Sequence, residues 1–126
     1  MRGGVGRILV IEDEPLIRKL LGIALRRLGH TVHACPDGPS GLRRLRTGRY
    51  DLLLTDFRLP GMTGIEVVRA AREAGIGIPV LLVSSSSPEE LGVPARERRG
   101  FRFLRKPFGL RVLASAVRRS LRASRQ

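Results

Sequence analysis

Carboxylates follow two apolar segments of this 126-residue chain, at the points where the segments end. Glu12 and Asp13 come directly after residues 7–11, and Asp56 closes residues 50–56. Short apolar runs of this kind are typical of buried parallel strands, whose carboxyl ends meet at one edge of a sheet. If the two strands are neighbours, the three carboxylates converge on one pocket, where like charges raise one another's pKa unless a cation is bound. A small oxygen-ligand site of this kind suits Mg²⁺.

The acidic residues after the first segment have a second interpretation. Glu12, Asp13 and Glu14 also precede an amphipathic stretch, and carboxylates at the start of a helix stabilise it through its dipole. This alternative explains Glu14. It does not explain Asp56, which ends a different strand.

A hydroxyl and an ammonium group follow two further apolar segments. Residues 78–83 run into Ser84, and residues 101–104 are followed closely by Lys106. In a parallel sheet these side chains join the carboxylates at the same edge. A phosphoryl group carried on Asp56 needs this set of partners: a cation, an O–H donor and the point charge of a lysine.

The elements that position these residues alternate between strand and helix. Strands are predicted near residues 7–11, 31–34, 52–55, 79–83 and 101–104. Helices are predicted near residues 14–28, from the cap Asp37 to Gly48, from Gly64 onward, and over residues 110–121. Units of this size imply right-handed crossovers and a parallel sheet with helices on both faces.

The segment between the fourth and fifth predicted strands departs from this alternation. Residues 88–100 contain Gly92 and Pro94 and few apolar side chains. An interior proline costs a helix about 3 kcal/mol, and a glycine costs about 1 kcal/mol relative to alanine. We therefore expect a weakened fourth helix, present as a short, split or mobile element.

Together these residues resemble the receiver domain of two-component response regulators, of the chemotaxis-regulator-like kind, over nearly the whole chain. The matching motifs are Glu12-Asp13, Asp56 with the following Leu59-Pro60 and Gly64, Ser84, and Lys106-Pro107-Phe108. The resemblance implies an α/β fold with a flavodoxin-like, doubly wound, five-stranded parallel sheet of strand order 2-1-3-4-5. It also implies that residues 1–126 form a single receiver domain.

The resemblance further implies a role for each site residue. Asp56 is expected to accept the phosphoryl group, and Ser84 and Lys106 to bind it. Ser84 and the aromatic Phe103 are the expected switch residues. The implied ligands of Mg²⁺ are Asp13, Asp56, the backbone carbonyl of Arg58 and, through a metal-bound water, Glu12.

The implied function is signalling that depends on phosphorylation. A histidine kinase or phosphotransfer protein would supply the phosphoryl group, and a protein-interaction surface would then switch, with dimerisation as one outcome. Such a domain is no conventional enzyme, although it catalyses its own phosphoryl transfer and autodephosphorylation. Two alternatives stay open: a pseudo-receiver that signals without phosphorylation, and a basic adaptor associated with nucleic acid.

The formal net charge of +13 is concentrated late in the chain. Residues 96–126 hold ten Arg and one Lys against a single Glu, a net charge of +10. Such a field attracts acidic proteins and nucleic acid, so we expect an acidic output partner on this basic face. Nucleic-acid binding would be non-specific, because no recognition-helix pattern is present. The alternative is genome composition, since 22 of the 24 basic residues are Arg.

Composition favours a cytoplasmic protein. No segment approaches the ~20 apolar residues of a membrane span, and residues 1–6 lack the apolar core of a signal peptide. Cys35 is the only cysteine. A single cysteine excludes an internal disulfide and is typical of a reducing compartment.

Overall fold

The computed structural model describes residues 5–124 as alternating strands and helices. In chain order the elements are β1 (Arg7–Ile11), α1 (Pro15–Arg27), β2 (Thr31–Cys35), α2 (Gly38–Thr47), β3 (Leu52–Asp56), β4 (Arg58–Leu59), β5 (Met62–Thr63), α3 (Gly64–Glu73), β6 (Val80–Ser84), a 3₁₀ turn (Ala95–Arg98), β7 (Phe101–Arg105) and α4 (Leu110–Ser124). The predicted strands and the first two predicted helices lie within about one residue of these bounds, and the last helix extends three residues beyond the predicted pattern.

Five strands form one parallel sheet in the order β2-β1-β3-β6-β7. Counted among these five strands alone, the order is the predicted 2-1-3-4-5, and the flavodoxin-like fold is confirmed. The central strand β3 pairs with β1 on one side and β6 on the other. Its last residue, Asp56, therefore lies at the middle of the carboxyl edge.

Alternate residues of each central strand face opposite helix layers. Ile8 and Val10 pack with α1 and α4, whereas Leu9 and Ile11 pack with α2 and α3. This alternation follows from the two-residue period of a strand. Both faces are apolar, which buries the sheet and leaves its carboxyl edge for polar groups.

A small antiparallel hairpin of β4 and β5, which the sequence did not predict, connects β3 to α3. Its last residue, Thr63, is the N-cap of α3. The Thr63 hydroxyl accepts a hydrogen bond from the N–H of Glu66, and the Glu66 carboxylate accepts one from the N–H of Thr63. This reciprocal pair is a capping box, and it fixes where α3 begins.

The segment before β7 was predicted to hold a weakened fourth helix, and the structure has there a capped turn followed by a 3₁₀ turn and no α-helix. Ser87 and Glu90 form a second reciprocal cap, with N···O distances of 2.8 and 3.2 Å. The helical turn that begins at this cap then ends after a single turn. The N–H groups of Gly92 and Val93 bond back to the carbonyls of Glu89 and Pro88, and Gly92 has a φ of +71°.

These bonds are a Schellman motif, which ends a helix through a residue in the left-handed region. The element is short because both of its ends are capped within seven residues. Val93 anchors it, being 4% exposed and packed with Ile65 of α3 and Leu82 of β6.

Two arginines of α3 hold the rest of this segment. Arg69 makes a two-pronged ion pair with Glu97, at 2.9 and 3.3 Å. Arg72 donates to the carbonyl of Arg99 at 2.6 Å, and its guanidinium lies 5.0 Å from the ring centroid of Phe101. The segment that stands in place of a fourth helix is thus bonded to α3.

Among the helices of residues 5–124, none combines the length and apolar character that a bilayer crossing requires.

Candidate functional site

The ends of four strands bring the predicted site residues together. Asp56 ends β3, Ser84 ends β6 beside it, and Glu12 and Asp13 follow β1 on the other side. Lys106 comes directly after β7, and its N–H bonds to the carbonyl of Ser84 at 2.9 Å. Parallel register places all of them at one edge of the sheet.

Three carboxylates form the acidic part of the site. One oxygen from each of Glu12, Asp13 and Asp56 lies within 4.8 Å of the others. Glu12 is 4% exposed, Asp56 is 9% exposed, and Asp13 is open to solvent. A cluster that is partly buried and partly open, with oxygen donors only, fits Mg²⁺, which keeps several waters when bound.

The charge of this cluster affects the ionisation of Glu12. Burial raises the pKa of the Glu12 carboxyl, and the negative charge of Asp56 raises it further. The N–H of Glu14, 3.0 Å from Glu12 Oε2, acts in the opposite direction. A divalent cation among these oxygens would favour the ionised form of Glu12, which agrees with a Mg²⁺ site in this cluster.

Lys106 balances the negative charge from the other side. Its Nζ lies 2.9 Å from Asp56 Oδ2. The lysine side chain is half-buried, so the ammonium group reaches a nearly buried carboxylate while staying in contact with solvent. A charge-assisted bond of this length is a strong one.

The Ser84 hydroxyl is buried next to the carboxylate edge. Its oxygen accepts a hydrogen bond from the N–H of Ser86 at 3.0 Å. A hydroxyl has one proton to donate and two lone pairs. This bond uses a lone pair, so the O–H is left to donate to an incoming oxygen.

A cavity of about 200 Å³ lies between Ser84 and Phe103 and is also lined by Leu82 and Pro88. Phe103 is half-buried and stacks on Phe101, with ring centroids 5.9 Å apart. The space behind the hydroxyl is therefore adjacent to the aromatic side chain that was predicted to switch.

Arg58, whose backbone carbonyl was a predicted metal ligand, lies in β4 two residues after Asp56. Its side chain is exposed. The role of its carbonyl stays a prediction, as do the individual roles of the other site residues.

The family model for the response regulator receiver domain matches residues 8–118. The chain belongs to the receiver-domain family. Receiver domains act in two-component signalling that depends on phosphorylation, and the site of this receiver has the acidic, hydroxyl and lysine groups that the sequence predicted.

Relatives of this receiver are transcriptional regulators. The alkaline phosphatase synthesis transcriptional regulatory protein SphR of Synechococcus elongatus is 35% identical over 127 residues, which cover 94% of this chain and 49% of SphR. The transcriptional regulatory protein CseB of Streptomyces coelicolor is 36% identical over 91% of this chain and 49% of its own. This receiver thus spans about half the length of the curated relatives it matches.

Solved structures show the same architecture. The response regulator TrrA of Thermotoga maritima, in complex with Mg²⁺ and BeF, is 28% identical and has a TM-score of 0.78 over 90% of this chain and 97% of TrrA. The chemotaxis response regulator CheY4 of Vibrio cholerae is 27% identical, with a TM-score of 0.81 over 92% of this chain and 98% of CheY4.

Sequence reasoning missed three polar contacts around the site. Arg18 of α1 donates to the carbonyls of Glu12 and Asp13, at 2.9 and 3.4 Å, and so holds the acidic turn. The buried hydroxyl of Thr55 donates to the carbonyl of Asp56 at 3.0 Å. The third contact is the bond from Ser86 to Ser84. The only feature of the sequence that could have indicated the Arg18 contact is the position of this basic residue, one turn into α1 and five residues after Asp13.

Proposed function

We propose that Asp56 of this receiver accepts a phosphoryl group from a histidine kinase or phosphotransfer protein, in a reaction that needs Mg²⁺. The observation that carries this proposal is the position of Asp56, between a carboxylate cluster suited to Mg²⁺ and the ammonium group of Lys106 at 2.9 Å. The Mg²⁺ complex of TrrA, a relative with the same fold, supports the choice of ion.

The transfer is a displacement at phosphorus. A carboxylate oxygen of Asp56 attacks in line, the new P–O bond forms an acyl phosphate, and the P–N bond of the donor breaks. Its electron pair leaves with the donor imidazole. Attack by water on the acyl phosphate later releases inorganic phosphate and restores the carboxylate, so the domain turns itself off.

Glu12, Asp13 and Asp56, with the carbonyl of Arg58, would hold Mg²⁺, Glu12 acting through a water. When bound, Mg²⁺ supplies positive charge that offsets the charge of the phosphoryl oxygens. Lys106 keeps its ammonium group beside the carboxylate and pairs with a phosphoryl oxygen after transfer. Asp56 would then interact with two sources of positive charge, the cation and the ammonium group of Lys106.

Ser84 and Phe103 are positioned to report the modification. When the Ser84 hydroxyl moves to donate to a phosphoryl oxygen, it leaves the bond with Ser86 and vacates space next to the 200 Å³ cavity. Phe103 can then turn inward. A two-state change of this kind alters the surface around β7 and α4.

The exposed apolar face of α1 is where we place the phosphodonor protein. Leu16 and Leu20 are 62% and 52% exposed, and Ile17, Ile23 and Leu28 of the same face are also exposed. This helix begins directly after the acidic turn, so a partner packed on it lies next to Asp56. Exposed apolar patches beside a polar site are typical of protein interfaces.

Changing Leu16 and Leu20 to serine should therefore weaken phosphotransfer from a protein donor while leaving modification by a small donor unchanged. Equal loss with both donors would contradict this placement.

The output partner is proposed to be acidic and to bind the basic face of residues 96–126. A groove of about 600 Å³ between β7 and α4 contains Arg102, Arg111 and Arg119 beside Phe103 and the exposed Val112. Positive charge around apolar side chains suits an acidic protein surface. Phosphorylation-dependent dimerisation and non-specific nucleic-acid binding are further proposals. A single domain over residues 1–126 and a cytoplasmic location are proposed as well.

Intact mass after incubation with acetyl phosphate tests the central proposal. A phosphoryl adduct should form only with Mg²⁺ and should be absent from Asp56→Asn. Asp51→Asn is the matched control, because Asp51 lies at the opposite end of β3 and binds the N–H of Arg7. A folded protein that forms no adduct would favour the pseudo-receiver instead.

A further inference from the structure

A second basic surface lies at the opposite edge of the sheet from residues 96–126. We call it the α2 edge, and it consists of Arg7, Arg26, Arg43, Arg44, Arg46 and Arg49. All six side chains are exposed. They come from β1, α1, α2 and the turn after α2, and they surround β2, which is the terminal strand of the sheet on this side.

A chain of contacts joins these arginines around His33 and Tyr50. The Tyr50 hydroxyl lies 2.7 Å from His33 Nδ1, and a guanidinium nitrogen of Arg44 lies 3.5 Å from the same atom. The Arg7 guanidinium lies 5.6 Å from the Tyr50 ring centroid, and its Nε donates to the carbonyl of Arg49 at 2.7 Å. These bonds hold the side chains in place before any ligand binds.

The other members lie on either side of this centre. Arg26 donates to the carbonyl of Val32 at 2.9 Å, at the free edge of β2. Arg43, Arg44 and Arg46 line an open groove of about 450 Å³ along α2. The arginines therefore form a continuous surface and not scattered single charges.

Within residues 5–124, no ion pair neutralises the positive charge of the α2 edge, although Asp37 lies near enough to Arg43 for their charges to attract. The four ion pairs found in residues 5–124 include none of the six arginines. The nearby carboxylates serve other groups: Asp37 caps α2 through the N–H of Ser40, and Asp51 accepts from the N–H of Arg7.

The chemistry of the α2 edge suits a polyphosphate ligand better than a protein. The large apolar side chains exposed in the described part of the chain all lie on α1, at Leu28 or on α4, and none lies on α2. Protein interfaces usually have an apolar centre, whereas nucleic-acid interfaces are polar and strongly positive. Guanidinium groups also bind phosphate oxygens in a two-pronged manner.

We propose that the α2 edge binds the phosphate backbone of nucleic acid, independently of phosphorylation at Asp56. Because β2 and β7 are opposite edges of the sheet, an output partner at residues 96–126 and a nucleic acid at the α2 edge can be bound together. The receiver would then bring its protein partner to DNA. This proposal does not depend on the chemistry proposed for Asp56.

Fluorescence anisotropy with a labelled DNA duplex of about 20 base pairs tests the proposal across a range of salt concentrations. The variant is Arg43→Gln with Arg46→Gln, and the control is Arg118→Gln with Arg122→Gln on α4. Each pair removes two exposed positive charges from one helix, including one in its last turn, so the two proteins have the same net charge. Thermal melts confirm folding.

We expect the α2 variant to lose roughly tenfold in affinity at low salt and to reduce the slope of log K against log salt by about 2. The control pair belongs to the basic face of residues 96–126, so it should lower the slope clearly less than the α2 variant does, and Asp56→Asn should bind as the wild type does. Equal losses in the two pairs would show that only net charge matters and would overturn the proposal. Absence of DNA binding at low salt, or displacement of DNA by polyglutamate with equal strength, would overturn it as well, the latter in favour of an acidic protein.

Discussion

Glu12 and Lys106 act in opposite directions on the charge around Asp56. Burial raises the pKa of the Glu12 carboxyl, and the negative charge of Asp56 raises it further, so an ionised Glu12 adds unfavourable negative charge beside Asp56. Lys106 adds positive charge at 2.9 Å. A phosphoryl group makes the site more negative still, so the lysine matters more after transfer than before it.

Replacing Lys106 with methionine should slow formation of the acetyl-phosphate adduct by roughly tenfold. The lost interaction is a charge-assisted hydrogen bond, worth about 1.5–3 kcal/mol when fully buried and less for this half-buried side chain. The measurement is the rate of adduct appearance by intact mass. Lys106→Arg is the matched control and should retain part of the rate, and a methionine variant as fast as the wild type would exclude this role.

At the scale of single elements, caps decide where helices begin and end in this receiver. Thr63 and Glu66 start α3, Ser87 and Glu90 start the short turn before β7, and Gly92 ends that turn. The sequence predicted a weak fourth helix from Gly92 and Pro94. It did not reveal a complete capped turn, because that depends on bonds from Gly92 and Val93 to particular carbonyls.

Gly92→Ala should lower the free energy of unfolding by about 1 kcal/mol, since a Cβ is disfavoured at a φ of +71°. No atom lies within 4 Å of the added Cβ, so the cost is one of backbone conformation alone. Gly77→Ala is the matched control, because its Cβ also meets nothing and its φ is not in the left-handed region. Urea unfolding measures both variants, and equal effects would contradict the expectation.

The caps also make stability depend on pH. Hydrogen bonds from Thr63 lower the pKa of Glu66 in the folded state, so its ionised form stabilises the fold above the unfolded-state pKa of about 4.5. That contribution is lost as the pH falls through the lower folded-state pKa. The stability difference between wild type and Glu66→Gln should therefore be present at neutral pH and shrink in acid, as urea unfolding at several pH values would show. A difference that grows in acid would have the wrong sign.

At the scale of the whole molecule, net charge opposes compactness. The excess positive charge is concentrated on two surfaces, the α2 edge and the basic face around β7 and α4, at opposite edges of one small sheet. The second surface is contiguous in sequence and was predicted. The first combines residues from three separate stretches of the sequence, so only the fold brings all of them together, just as only the fold shows Arg18 next to the acidic turn.

Raising NaCl from about 0.05 M to about 0.5 M should raise the melting temperature by a few degrees, because salt screens this self-repulsion. Differential scanning calorimetry measures the shift. The two double-glutamine variants, Arg43 with Arg46 and Arg118 with Arg122, should each show a smaller shift than the wild type. A melting temperature that falls with salt would mean that attractive charge pairs dominate.

The site itself was largely predictable because strand ends in a parallel sheet meet at one edge. Asp56, Ser84 and Lys106 could be assigned from their places after apolar runs, and the structure brings them together. The hydrogen bond that the Ser84 hydroxyl accepts could not be predicted, because its donor is the backbone N–H of Ser86 and depends on the turn that follows β6.

The ties from Arg69 and Arg72 to residues 97 and 99 have a consequence for local opening. A segment with one helical turn and one 3₁₀ turn has little stability of its own, yet here its release requires breaking the ion pair of Arg69 with Glu97 and the hydrogen bond from Arg72 to the carbonyl of Arg99. Residues 95–100 should therefore exchange their amide hydrogens together with α3, as one cooperative unit. In this receiver the segment before β7 would therefore open together with α3, and not as an independent element.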